Sequence, residues 1–239
     1  MRFDQEHRET AAKVLDNVVV VSERQVHEGY KRALAQLEGW HPDEAQRQGR
    51  WCFVGFGGPG ESGPAMVRMF REANDMDLGR FNNLFHSLSD VPALKLTAAD
   101  SIVFIDDFSG SGRQVTTVWP VIKELVASEA RCYLLLTACT EAAEAAIKEK
   151  TELECFVDQV IPHTDNIFHE DSTTFSEDEL AIIKSYCKIA DPKNPRGFGK
   201  TGLLFVLSHK TPNNTIPILH VNEKDRWVGL FPRRLRAAA

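Results

Sequence analysis

What this chain has little of narrows its class before any motif is read. Its five cysteines, Cys52, Cys132, Cys139, Cys155 and Cys187, are scattered and form no C-x-x-C pair. That excludes a disulfide framework and a thiolate zinc module. The apolar runs around Cys52, Cys132 and Cys155 read as buried thiols in a reducing compartment. Positive charge is in deficit: 28 Lys and Arg face 34 Asp and Glu, a net charge of −6. The molecule as a whole is therefore no polyanion binder, and the basic cluster Arg226, Arg233, Arg234 and Arg236 reads as a solvated tail. No apolar run reaches the roughly 20 residues of a membrane-spanning helix. There is no internal repeat or low-complexity stretch, and the opening residues MRFDQEHRET lack the pattern of a secretory signal. The expectation is a cytoplasmic protein with no membrane partner. A hydrophobic content of 43% over 239 residues is enough for one α/β domain with additions.

What is present centres on Ser101 to Gln114, SIVFIDDFSGSGRQ. Ile102 to Ile105 do not alternate with polar residues, so they predict a strand buried on both faces. Asp106 and Asp107 end that strand. Phe108 leads into Ser109-Gly110-Ser111-Gly112, small residues that can take positive φ and expose backbone N–H groups. A helix is predicted from Arg113 and Gln114, which puts the loop at a positive helix N-terminus. Two carboxylates beside an anion cradle suit a ribose phosphate. The acids would take the sugar hydroxyls directly or through Mg2+, and the loop amides would wrap the phosphate.

Around this stretch the chain reads as strands alternating with helices. Strands are predicted at Trp51 to Phe56, Arg131 to Ala138, Glu154 to Ile161 and Leu203 to Leu207. Helices are predicted after Ser22, at Pro64 to Asn74, after Arg113, at Glu141 to Lys150 and after the Ser176/Glu179 capping box. Pro42 to Gln48 reads as a short polar helix. Phe81, Leu84, Phe85 and Leu88 share helical spacing and read as core. Such alternation implies a mostly parallel α/β sheet with helices on both faces, whose ligands bind at the carboxyl ends of the strands.

One such end carries Gly57-Gly58-Pro59-Gly60-Glu61-Ser62-Gly63. With Gly55, these glycines satisfy the dinucleotide pattern G-x-G-x-x-G, but no strand ending in an acid follows about 20 residues later. The triphosphate-loop pattern fails because Glu61 stands where lysine belongs. After Leu207 come His209, Lys210, Thr211, Pro212, Asn213, Asn214 and Thr215; His209 and the asparagine pair offer donors and acceptors for an acceptor molecule's edge. His163, Asp165, His169, Glu170 and Asp171 match no familiar metal spacing and read as a solvated acidic loop.

Four hydrophobics, two acids and the Ser111-Gly112-Arg113-Gln114 turn together resemble the phosphoribosyl-pyrophosphate (PRPP) signature of type I phosphoribosyltransferases. Gln114 stands where that family usually has threonine. IDDFSGSG, SHKTPNNTIPIL, and Trp227 with LFPRR at Leu230 to Arg234 together resemble PRTase-CE, a phosphoribosyltransferase family of bacterial conflict systems. The resemblance covers roughly Trp51 to the end. It implies a phosphoribosyltransferase-like fold at 51–239, with 1–50 a helical extension packed on the core. It also implies Asp106 and Asp107 as the catalytic pair and Mg2+ ligands, Phe108 to Gln114 on the 5′-phosphate, and Gly57, Gly58, Gly60, Glu61, Ser62 and Gly63 on pyrophosphate. The role implied is a glycosyltransferase acting as an anti-phage effector, in some systems beside a retron reverse transcriptase and its DNA. The pyrophosphate loop lacks the Lys or Arg the family often carries there. That favours a rival reading, a PRPP- or nucleotide-sensing module without turnover.

Overall fold

The computed structural model describes residues 3–57, 63–126 and 129–233. In chain order the elements are α1 (Arg8–Asp16), β1 (Val19–Val21), α2 (Glu23–Leu34), β2 (Trp51–Gly55), α3 (Gly63–Ala73), β3 (Ser101–Ile105), β4 (Phe108–Ser109) and α4 (Arg113–Lys123). They continue as β5 (Arg131–Thr140), α5 (Glu141–Lys150), β6 (Glu154–Ile161), α6 (Glu177–Ala190), β7 (Phe205–Leu207), α7 (Pro217–His220), β8 (Asn222–Glu223) and β9 (Trp227–Val228). The chain divides into two compact units: Arg24–Ile161, and Met1–Glu23 together with Pro162–Ala239.

In Arg24–Ile161 the sheet runs β2-β3-β5-β6, every pair parallel. On the far edge of β2 the chain returns once, where Phe85 makes a parallel bridge to Phe53 and the His86 N–H donates to the Phe53 carbonyl at 3.1 Å. β2 therefore sits where the direction of strand addition reverses, the position at which open parallel sheets bind their ligands. Strands buried on both faces need non-alternating apolar runs, and β3 is buried at every residue. Cys52, Val54, Phe56, Ile102, Phe104, Leu134 and Leu136 pack with Val115, Trp119 and Ile122 of α4 and Ala143 and Ile147 of α5. Phe53 is directed to the other face, against Trp40, Phe70 of α3 and Phe85. Helices thus cover both faces, as the strand–helix alternation predicts.

Two helix expectations change. Phe81 and Leu84 are buried as read, but their segment forms 3-10 turns, Gly79–Leu84 and Leu88–Leu94. Pairing of the Phe85 backbone with β2 takes that residue out of any helix. Pro42 to Gln48 holds only a 3-10 turn at Glu44–Gln46, because Pro42 and Gly49 leave too little chain for a propagated helix. At the opposite end of the sheet from the glycine loops, Asp100 closes the turn into β3. It accepts the Thr97 N–H and hydroxyl and three donors of Arg50, which hold its carboxyl well below the usual carboxylate range.

The other unit holds its own core. Val14 of α1, Ile183, Tyr186 and Cys187 of α6, Leu204, Ile216, Ile218, Leu219 and Trp227 pack together. The strand expected at Leu203–Leu207 is only three residues long and pairs, in parallel, with Val19–Val21. The predicted capping box of α6 is formed: Ser176 and Glu179 exchange bonds, and Glu179 also holds Lys13 at 2.7 Å. The docked tail follows from one indole and one glycine. Trp227 Nε1 donates to the Ile218 carbonyl at 2.9 Å, and a Cβ on Gly229 would lie 2.3 Å from the Leu219 oxygen.

Burial also sets a pH response in this unit. His220 is 8% exposed and its Nε2 faces the Thr215 carbonyl at 3.1 Å. Desolvation and then Arg233 lower its pKa to about 4, against smaller opposing effects of the Thr215 carbonyl and Asp191. The folded-state pKa lies below the unfolded one, so the neutral ring's contribution is whole above pH 6.5 and is lost as pH falls from 6.5 to about 4. Between pH 7 and pH 5 the chain is expected to lose about 2 kcal/mol from this residue alone. Denaturant melts of the parent and His220→Gln check it: the variant should lose less over the same interval, and an equal slope would reject the assignment. Burial likewise pushes the thiols of Cys52, Cys155 and Cys187 up to about 12 and Cys132 to about 11, so they are poor nucleophiles.

Candidate functional site

The acid pair does not end its strand. After Ile105 pairs opposite Leu135, the ladder to β5 resumes with Phe108 opposite Ala138 and Ser109 opposite Cys139, in the same register. Asp106 and Asp107 are a kink within one strand line rather than its terminus. The backbone explains why pairing continues. The Asp106 N–H donates to Leu135, and the Asp107 carbonyl accepts the N–H groups of both Thr137 and Ala138 and the Thr137 hydroxyl at 2.7 Å. Both aspartates are 4% exposed, and the Asp107 N–H donates to Asp106 Oδ1 at 3.0 Å.

Tyr30, on the buried face of α2, reaches this kink. Its ring is fully buried and its hydroxyl donates to the Asp106 carbonyl at 3.1 Å. Burial first, then the carboxylates of Asp107 and Asp106, hold the phenol well above its ordinary pKa, so it stays a donor. α2 can approach because Gly29 has no side chain: a Cβ there would lie 3.0 Å from Asp158 Oδ2 and 3.4 Å from Thr137 Cβ. Arg32 grips the same Asp158 with two bonds of 2.5 and 2.8 Å.

The loop after β4 is pinned from β5. Thr140 donates to the Gly110 carbonyl at 2.8 Å and accepts the Ala143 N–H as the N-cap of α5. Gly112 has φ +66 and caps α4, and a Cβ there would stand 3.0 Å from the Ala143 oxygen. The helix starts at Arg113, as predicted; Arg113 and Gln114 are exposed in its first turn, while Ser109, Gly110 and Gly112 are buried. Threonine bonds to the Asp107 and Gly110 carbonyls set the loop at the mouth of an eleven-residue helix, the positive end of its dipole.

Of the other glycine loop, Gly57 and Gly63 are described; Gly58, Gly60, Glu61 and Ser62 lie outside the described residues. Gly57 has φ +99. The two feet of the loop touch: a Cβ on Gly55 would lie 2.5 Å from the Gly63 carbonyl carbon, and one on Gly63 would lie 2.5 Å from the Phe56 oxygen. The arginines that follow on α3 are engaged elsewhere. Arg68 binds Glu72 at 2.8 Å, and Arg71 binds Asn82 at 3.0 Å and stacks on Phe85. The segment after α3 forms 3-10 turns, which removes the second strand a dinucleotide fold needs.

In the second unit, His209 and Asn213 are exposed in turns after β7. Asn214 is 6% exposed; its side-chain amide donates to the Phe198 carbonyl at 3.0 Å, and its own carbonyl accepts the Thr201 hydroxyl at 2.8 Å.

Sequence reading missed Tyr30, Thr137 and Thr140. The two threonines had a signal, polar residues closing an apolar strand at TACT. Tyr30 had none, since a tyrosine on an apolar helix face is ordinary core.

A parallel sheet with both faces covered, and buried acids leading into a helix mouth at its carboxyl edge, fit a phosphoribosyltransferase-like protein. The chain matches the PRTase-CE family over residues 1–233 and belongs to it. Solved structures resemble it distantly. A hypoxanthine-guanine-xanthine phosphoribosyltransferase superposes with a TM-score of 0.32 at 7% identity, covering 59% of this chain and 76% of its own. A Trypanosoma cruzi hypoxanthine phosphoribosyltransferase complexed with the product IMP gives 0.29 at 9%, covering 59% and 72%. No relative was found among curated proteins.

Proposed function

We propose that the chain binds PRPP, or a closely related ribose 5-phosphate, with Mg2+ at the kink after β3, and transfers or removes the ribosyl group as an anti-phage effector. The observation that carries this reading is the burial of two adjacent carboxylates, each 4% exposed, beside the mouth of α4. Adjacent carboxylates beside a helix mouth put oxygen donors for a cation or for sugar hydroxyls next to a positive dipole end for a phosphate. Carboxylate oxygens are the donor type that Mg2+ takes, so Asp106 and Asp107 fit that ion, which would offset charge on the pyrophosphate leaving group.

In this reading Asp106 and Asp107 hold the ribose hydroxyls. Phe108 to Gln114 hold the 5′-phosphate through backbone amides and the α4 dipole. Gly57 to Gly63 take the pyrophosphate. The C1–O bond to pyrophosphate breaks with its electron pair leaving on oxygen, and the oxocarbenium-like carbon is captured by an acceptor or by water. Catalysis is then positioning plus stabilisation of separating charge. Tyr30, Thr137 and Thr140 position the kink and the loop. His209, Asn213 and Asn214 are proposed for the acceptor, with His209 and Asn213 carrying the exposed donors. Family membership supports the defence role, and a retron reverse transcriptase with its DNA is the partner proposed on that ground. No described helix is long and apolar enough to cross a membrane.

The absence of Lys and Arg between Gly55 and Pro64, with Arg68 and Arg71 bound elsewhere, favours the second reading, a PRPP sensor without turnover. Calorimetry with PRPP, with and without Mg2+, run beside a pyrophosphate-release assay, separates the two. Mg2+-dependent binding with release is the expected result for the enzyme, and binding without release identifies the sensor. Absence of binding in both conditions rejects the shared site.

A further inference from the structure

We infer a second metal site, for a zinc-type first-row divalent ion, at His163, His169 and Asp171. It lies outside the Asp106–Asp107 site and does not depend on how that site is read. The sequence pattern H-x5-H-x-D is unfamiliar, but the fold of the segment brings one ligand atom from each residue to within 4.8 Å of the others. Asp171 Oδ2 stands 3.3 Å from His163 Nε2 and 3.6 Å from His169 Nδ1.

Those two distances carry the inference. His169 Nδ1 accepts the Asp171 N–H, so it presents a lone pair and not a proton toward Asp171 Oδ2, and the 3.6 Å between them is no hydrogen bond. Ligands held about 2.0–2.1 Å from a tetrahedral ion lie roughly 3.3–3.4 Å from one another. The two Asp171 distances lie close to that spacing. The two rings meet edge to face with centroids 4.8 Å apart, and no ligand atom of the three is more than 4.8 Å from another.

The backbone holds the ligands in place beforehand. His163 opens a 3-10 turn, and its carbonyl accepts the Asn166 N–H at 3.1 Å. Ile167 is 3% exposed and its N–H donates to the Gly202 carbonyl, so the segment is plugged into the unit's core. Asn166 adds a bond to the Lys200 carbonyl and accepts the Phe168 N–H. The His169 N–H then returns to the Asn166 carbonyl at 2.9 Å. His169 Nδ1 accepts the Asp171 N–H at 3.2 Å, so this nitrogen carries a lone pair, as metal ligation requires; the ion would replace that long contact.

Imidazole and carboxylate donors suit zinc and its first-row neighbours rather than Mg2+, which prefers oxygen alone. Three protein ligands leave a fourth position for water or for a heteroatom of a bound molecule, as in open zinc sites. His163 and Asp171 are 51% and 61% exposed, so that position faces solvent.

The test is Zn2+ and Co2+ titration of the full chain after chelator treatment, with millimolar Mg2+ present to occupy oxygen-only sites. One equivalent is expected to bind, Co2+ should give the intense visible bands of a tetrahedral nitrogen–oxygen site, and Zn2+ should raise the melting temperature. His163→Ala, His169→Ala and Asp171→Asn should each weaken Zn2+ by more than the roughly 10–100-fold typical of losing an outer-shell partner. Their metal-free melts should match the parent, because the side chains are on the surface. Unchanged Zn2+ affinity in the three variants, a thiolate charge-transfer band with Co2+, or no saturable binding would each overturn the site.

Discussion

A chain carrying Asp106→Asn and Asp107→Asn is expected to give no calorimetric response to PRPP and Mg2+ at concentrations that saturate the parent. Asparagine keeps the shape and one carbonyl oxygen, so the bond from the Asp107 N–H to position 106 can persist. What it removes is charge. Hydrogen bonds to charged groups are worth about 1.5–3 kcal/mol each, so losing two such partners predicts an affinity drop of roughly two to four orders of magnitude. Folding is read separately: a double variant that melts like the parent without ligand places the loss in binding. Equal PRPP binding by parent and variant would remove the ribose-phosphate reading. A variant that melts far lower would show the acids to be structural.

Gly55→Ala is expected to destabilise the chain by about 2–3 kcal/mol, near the upper end of overpacking costs, with a fall of roughly 5–10 °C in melting temperature for a protein of this size. The cause is local. The new Cβ would stand 2.5 Å from the Gly63 carbonyl carbon and 2.7 Å from its oxygen. Both are backbone atoms at the start of α3, so no side-chain rotation relieves the clash. Relief requires β2 and α3 to separate, and that moves the loop proposed for pyrophosphate. The variant should therefore also lose PRPP affinity, beyond what its lower stability explains at temperatures where it is folded. Gly79→Ala is the control, since a Cβ there meets nothing within 4 Å. Equal melting temperatures for Gly55→Ala and Gly79→Ala would disprove the close approach of strand and helix.

Glycine requirements of this kind were half legible. The run Gly57 to Gly63 marked a strand-to-helix turn. The contact between Gly55 and Gly63 shows that close packing demands Gly63 of this run and Gly55 before it. Gly57, with φ +99, is required by backbone conformation. The segment at Phe81 to Leu88 misled for a related reason. Its spacing matched a helix, yet the chain bridges the edge of β2 at Phe85, where the His86 N–H donates to the Phe53 carbonyl, an option periodicity does not encode. The trio His163, His169 and Asp171 looked like a solvated loop because no familiar spacing announced it; only the plug at Ile167 and the turns around Asn166 bring the three together.

The sequence by itself determined the parts whose cause is local. These are the doubly buried strand at Ile102 to Ile105, the acids after it, the helix start at Arg113, the α6 capping box and the parallel α/β class. Each follows from the burial of a short run or from a cap only a few residues away. The tertiary structure decided what depends on partners distant in the chain. It continued the strand through the acids by means of Thr137, brought Tyr30 under Asp106, tied Gly110 to Thr140 and joined Val19–Val21 to Phe205–Leu207. Such contacts satisfy buried polar groups across tens of residues or more. Their existence follows from the cost of leaving those groups unpaired, but the choice of partner is made only when the sheet and helices close around them.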